Sequence, residues 1–162
     1  MTLLRTAFVL ALSLSAVFAS AADGLIAVKS SRDAKVTMDR LEDIAKQRGL
    51  VIFARVDHAA GAAKIGKTLR PTEVLIFGNP QGGTPLMECA QSMGIDLPLK
   101  ALVWEDVTGQ TWLGYNDPAY LAKRHEAPEC AAAGNIAKAL GSIAAEAVLV
   151  APAPAPAQPV AK

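Results

Sequence analysis

Neither sign of charge is in excess: 16 Lys and Arg stand against 15 Asp and Glu, with two His. No basic run breaks the balance, so bulk charge draws the chain neither to nucleic acid nor to an anionic membrane surface. Cysteine is scarce. Cys89 and Cys130 occur without a CxxC or CxxCH, which leaves thioredoxin-like redox chemistry and covalent haem without support. No GxSxG is present, so the nucleophile elbow of the α/β-hydrolases is missing. The stretch Gly78–Thr84 (GNPQGGT) has the glycines of a phosphate loop but not its lysine, and Pro80 removes an amide donor. That excludes P-loop nucleotide hydrolysis.

What is present divides the chain into three parts. MTLLRTAFVLALSLSAVFASA opens with a single Arg5, continues as an apolar run from Ala7 to Phe18 and ends in small residues. The run is shorter than the about 20 residues that span a bilayer, and Ala19-Ser20-Ala21 fits an A-x-A cleavage site. Residues 1–21 therefore read as a signal peptide, removed near Ala21, and the expected location is periplasmic or secreted, with no stable membrane insertion afterwards. Cleavage takes away Arg5, so Lys and Arg fall from 16 to 15 against 15 acids, a net charge of zero. The tail Ala151–Lys162 (APAPAPAQPVAK) is an extended, polyproline-like segment by composition. Between the two, residues 23–150 form one domain with no composition break, long enough to bury a core. Export permits a disulfide between Cys89 and Cys130, with two small buried thiols as the alternative.

Five strands and their intervening helices can be read from periodicity. Leu25–Ser30, Leu50–Val56, Glu73–Phe77, Leu99–Glu105 and Gln110–Tyr115 are β-like, the last two joined as a hairpin through Asp106-Val107-Thr108-Gly109. Val36–Arg48, His58–Ile65, Thr84–Met93, Pro118–Arg124 and Asn135–Val148 are helical in pattern, with Thr84 placed as a cap and Pro85 at the first helical position. The order predicts an α+β fold: a mixed or antiparallel sheet of four or five strands with helices mainly on one face. Leu50, Ile52 and Ala54 are expected to point one way, Val51 and Phe53 the other. An apolar second face asks for a cover, and a second copy of the chain is the expected one.

The segments Asp57–Ala62 (DHAAGA), Leu69–Met87 (LRPTEVLIFGNPQGGTPLM), Asp96–Asp106 (DLPLKALVWED) and Tyr115–His125 (YNDPAYLAKRH) together resemble the family called domain of unknown function 302. The likeness runs over most of residues 24–148. It implies a compact α+β domain that tends to form homodimers, and no established enzymatic activity. Cys89 and the Ala-Pro tail fall outside the pattern.

Candidate chemistry concentrates in a few places. Gly82, Gly83 and Thr84 would offer backbone amides to an anion at a helix N-terminus, or simply let the chain turn. His58 follows a strand end beside Asp57 and small residues that leave room for a ligand. It is the candidate acid, base or metal ligand, while Asp57 has an alternative role as a helix cap. His125 sits in Lys-Arg-His at a helix end, where the dipole favours a cation. Two distant histidines are a weak metal signal, so no metal and no cofactor is expected. Trp104 and Trp112 are placed to stack across the hairpin, with Tyr115 and Tyr120 nearby. The expected ligand site gathers His58, Arg70, Asn79, Gln81, Gly82, Gly83, Thr84 and Glu88 where strand ends and loops converge. The function expected is a small-ligand or partner-binding homodimer. An enzyme using His58 and a purely structural protein are the alternatives.

Overall fold

The computed structural model describes residues 22–149. The segment 1–21, expected to be a signal peptide, and the Ala-Pro stretch lie outside the described residues. Five strands form one sheet: β1 (Leu25–Lys29), β2 (Val51–Asp57), β3 (Thr72–Gly78), β4 (Leu99–Glu105) and β5 (Thr111–Asn116). Their spatial order is β1-β5-β4-β3-β2, and every neighbouring pair is antiparallel. The fold is α+β, as the alternation of elements predicts.

Helices α1 (Ala34–Gln47) and α5 (Ala131–Val148) cover one face of the sheet. α1 forms there because Asp33 caps it, accepting from the Val36 amide at 2.8 Å, and because Met38, Leu41, Ile44 and Ala45 recur at helical spacing. That stripe meets Leu75, Phe77, Ala101, Val103, Leu113 and Tyr115 from the strands and Leu140, Ile143, Ala144 and Ala147 from α5. Burial of the Leu, Ile, Val, Met and Phe side chains among these, at about 1.5–3 kcal/mol each, drives the fold. A smaller cluster of Leu86, Met93, Ala122, Cys130 and Ala133 lies under α3 (Pro80–Cys89) and α4 (Pro118–Arg124). The short α2 (His58–Ala63) links β2 to β3, and a 3₁₀ turn at Gln91–Ile95 follows α3.

The β4–β5 hairpin is built by Asp106. Its carboxylate accepts from the Thr108 amide and hydroxyl, the Gln110 amide and Trp112 Nε1. These bonds, the Thr108 hydroxyl first, hold its pKa well below the usual carboxylate range. Gly109 takes the left-handed φ of +81° that the turn requires.

Two expectations need correction. Ala54 does not follow Leu50 and Ile52 to the helix-covered face. A bulge at Phe53 shifts the register, so Ile52 faces Phe77 but Ala54 faces Ile76. Arg55, opposite Leu75, thereby reaches the helix side. The third helix starts at Pro80, not at Thr84. Asn79 is its cap, with Oδ1 accepting from the Gly82 amide at 2.9 Å, and Pro80 occupies the first turn while Pro85 lies inside the helix. Asn-Pro is the same cap-plus-proline signal as Thr-Pro, met five residues earlier.

Candidate functional site

A cavity of about 500 Å³ opens between the sheet and the helices at the end where β3 stops. Leu50, Phe77 and Leu99 form its floor, Ile136, Ala139, Leu140 and Ile143 of α5 one wall, and Gly82, Gly83, Thr84 and Met87 of α3 another. Leu97 and Pro98 close a third side. Phe53, Thr84 and Met87, all exposed, stand at the mouth. None of these lining residues carries a charge. The polar side chains among them are Asn79 and Thr84. Asn79 spends its carbonyl oxygen on the Gly82 amide and keeps its NH₂ as a donor. The volume and the few polar groups match the general form of small-molecule sites.

The sheet separates the residues that the sequence placed together. β2 and β3 run antiparallel, with Asp57 opposite Glu73 and Val51 opposite Gly78. His58 follows the end of β2, and Asn79 follows the end of β3. A seven-residue strand lies between them, about 20 Å. Asn79, Gly82, Gly83 and Thr84 all line the cavity; Gln81 and Glu88 sit exposed on α3, off its lining. The amides of Gly82 and Gly83 are not open to an anion, since both donate to Asn79. His58 is the exposed first residue of α2. Its neighbour Asp57 caps that helix through the Ala60 amide at 2.8 Å. Arg70, also exposed, donates from Nε to the Glu105 carbonyl at 3.0 Å, beside a shallower cavity bordered by Leu25, Leu102 and Trp104.

Two charged clusters emerge that the pattern of residues did not show. Arg55 lies between three carboxylates: both its Nε and Nη2 donate to Glu73, and Nη1 donates to Asp39 at 2.7 Å and Glu42 at 3.1 Å. The bonds to Glu73 come first in holding the guanidinium pKa above its ordinary value. Asp39 and Glu42 are held below theirs, by Lys35 and Lys46 first and then by Arg55. The second cluster joins the 3₁₀ turn to the end of α4. His125 Nε2 lies 2.7 Å from Asp96 Oδ2, its Nδ1 lies 2.9 Å from Ser92 Oγ, and Arg124 Nη1 donates to both Asp96 oxygens. In the tautomer that donates Nε2–H to the carboxylate, Nδ1 is placed to accept the Ser92 hydroxyl proton. The order serine, histidine, aspartate is that of an activated nucleophile. Here Arg124 shares the Asp96 charge, and the cavities described above do not reach Ser92. Ser92 and Asp96 carry no local signal, because both meet His125 only through tertiary folding. Among the described residues, no group of three or more His, Cys, Asp or Glu is placed to hold a metal ion.

Among the described residues, no helix packs a core stripe on the opposite face of the sheet. Val56, Val74, Ile76, Leu102 and the Trp104–Trp112 pair lie there, the two rings stacked at 6.3 Å between centroids. Gly114 makes the stack fit: a Cβ at that position would stand 2.8 Å from the Trp104 ring.

Sheet, helical layer and uncharged cavity define a small α+β domain. The chain belongs to the family described as "Domain of unknown function DUF302", whose model matches residues 26–146. It is similar to a solved structure, an uncharacterized conserved DUF302 protein from Bacillus stearothermophilus. The TM-score is 0.70 at 24% identity, over 78% of this chain and 99% of that one. It is also similar to proteins named "Fluoride-specific ion channel FluC 1". The one from Brucella suis is 51% identical over 102 residues, 63% of this chain and 40% of the relative. The one from Brucella abortus shows the same identity over 38% of its length. The chain thus spans about two fifths of the curated relatives it matches. Among the described residues no helix is long and apolar enough to cross a membrane.

Proposed function

We propose that the chain is an exported binding domain that takes a neutral, largely apolar small molecule into the cavity between α3 and α5. The cavity itself carries this reading: about 500 Å³, with a lining that is uncharged and offers only Asn79 and Thr84 as polar side chains. A charged ligand would lose its hydration there without a partner. A neutral fluorophore, N-phenyl-1-naphthylamine, serves as the probe. Saturable uptake with a rise in melting temperature is the expected result. Ala139→Trp, which fills the cavity from α5, is expected to abolish both responses, whereas His58→Ala, at the far end of the sheet, leaves them unchanged. Equal binding by Ala139→Trp would remove the cavity from the proposal.

The same reading includes a homodimer formed through the uncovered sheet face, supported by the apolar side chains exposed or half-buried there. A second reading follows from the Brucella relatives, in which a segment half identical to this chain belongs to a protein named as a fluoride channel. The domain then serves beside such a channel, and sodium fluoride, unlike sodium chloride, raises the melting temperature in the same assay.

A further inference from the structure

One covalent bond joins the two helical walls of the cavity. Cys89, the last residue of α3, is bonded to Cys130, which precedes the first residue of α5. Their Cα atoms lie 5.8 Å apart, across a sequence separation of 41. The two walls differ in how firmly they are held. α5 buries Ala133, Leu140, Ile143, Ala144, Ala147 and Val148. α3 buries Leu86 alone and carries Gly82, Gly83 and Pro85, all poor helix formers. The bond therefore ties a weak wall to a strong one. Neither cysteine belongs to the main core cluster under the sheet.

We propose that the Cys89–Cys130 disulfide is a redox latch on the ligand cavity. Closed, it holds α3 against α5 and keeps the site formed. Opened, it lets α3 swing from the sheet and releases the ligand. This deepens the binding reading above and rests on it. The opening agent is a dithiol. Cys89 is exposed and Cys130 buried, so a dithiol thiolate attacks the Cys89 sulfur. The S–S bond breaks, and Cys130 leaves as a thiolate that takes up a proton. The second thiol of the reagent then attacks its own sulfur in the mixed disulfide and frees Cys89. Two electrons pass from the dithiol, which ends as a cyclic disulfide, to the two cysteines, which end as thiols.

The test compares oxidised protein, protein reduced with dithiothreitol, and the double variant Cys89→Ser/Cys130→Ser in their binding of N-phenyl-1-naphthylamine. The Kd is expected to rise at least tenfold on reduction and in the double variant, with the far-ultraviolet circular dichroism kept, and to recover on reoxidation with glutathione disulfide. A Kd indifferent to redox state overturns the latch alone. Loss of the cooperative melt on reduction also overturns it, since the bond would then hold the whole domain. Failure of the oxidised protein to take up the probe overturns the binding reading and the latch with it.

Discussion

Arg55 shows most directly how one side chain can hold elements together. It is an interior residue of the edge strand β2, yet it bridges β2, β3 and α1 through Glu73, Asp39 and Glu42. Its side chain is 27% exposed, so water screens these bonds only in part. Arg55→Met leaves three carboxylates facing one another. The expected loss is about 1–3 kcal/mol at pH 7, read from urea unfolding. The pH dependence has a definite sign. Asp39 and Glu42 titrate lower in the folded state than when unfolded. Their contribution is full above the ordinary carboxylate pKa of about 4 and fades as pH falls through the lowered folded values. The gap between wild type and variant should therefore be widest near neutrality and narrow below about pH 4. A gap that stays constant from pH 7 to pH 3 would show that Arg55 acts through packing alone.

At the scale of elements, α3 separates cap from non-cap. Asn79→Ala removes the bond to the Gly82 amide and should cost about 1 kcal/mol, whereas Thr84→Ala should stay within about 0.5 kcal/mol. The reverse ranking in urea unfolding would return the helix start to Thr84. The elements themselves were largely legible: two β-rich runs, Leu99–Glu105 and Thr111–Asn116, with a turn containing Gly109 between, mark the hairpin, and the stripe Leu41-Ile44-Ala45 marks α1. Two kinds of information were not. The bulge at Phe53 reverses every facing after it, and no residue in LVIFARV announces it. The meeting of loops was also hidden. His58 and Asn79 each follow a strand, and both looked like neighbours of one site. Once β2 and β3 pair antiparallel, their C-terminal ends lie at opposite ends of the strands. The glycine stretch could be placed at a site from sequence, but much of that site's apolar lining comes from Leu50, Leu99 of β4 and α5, residues distant in the chain.

At the scale of the whole molecule, the helices shield one face of a five-stranded sheet and leave the other to something else. Val56, 39% exposed on that open face, remains in contact with water, so the sides of β2 are not both sheltered within one copy. β4 is the central strand, and Leu102 is its middle residue on the open face, between Val74 of β3 and Gly114 of β5. Charged residues of that face sit toward its ends: Lys29 lies over the Trp112 ring, and Lys100 donates to the Asp96 and Pro98 carbonyls. An apolar middle with polar margins is the layout of an isologous interface. Edge-to-edge pairing is the less suitable geometry, because the bulge at Phe53 interrupts the free edge of β2. In the homodimer proposed above, face-to-face association would bring Leu102 of the two copies together, so one substitution would count twice. Leu102→Asp is therefore expected to give monomer throughout the micromolar range in analytical ultracentrifugation, with circular dichroism unchanged. Phe53→Lys, at the edge, is expected to leave the dimer intact. Wild-type protein that sediments only as monomer would remove the dimer altogether, and a dimer lost with Phe53→Lys but kept with Leu102→Asp would move the interface from the face to the edge.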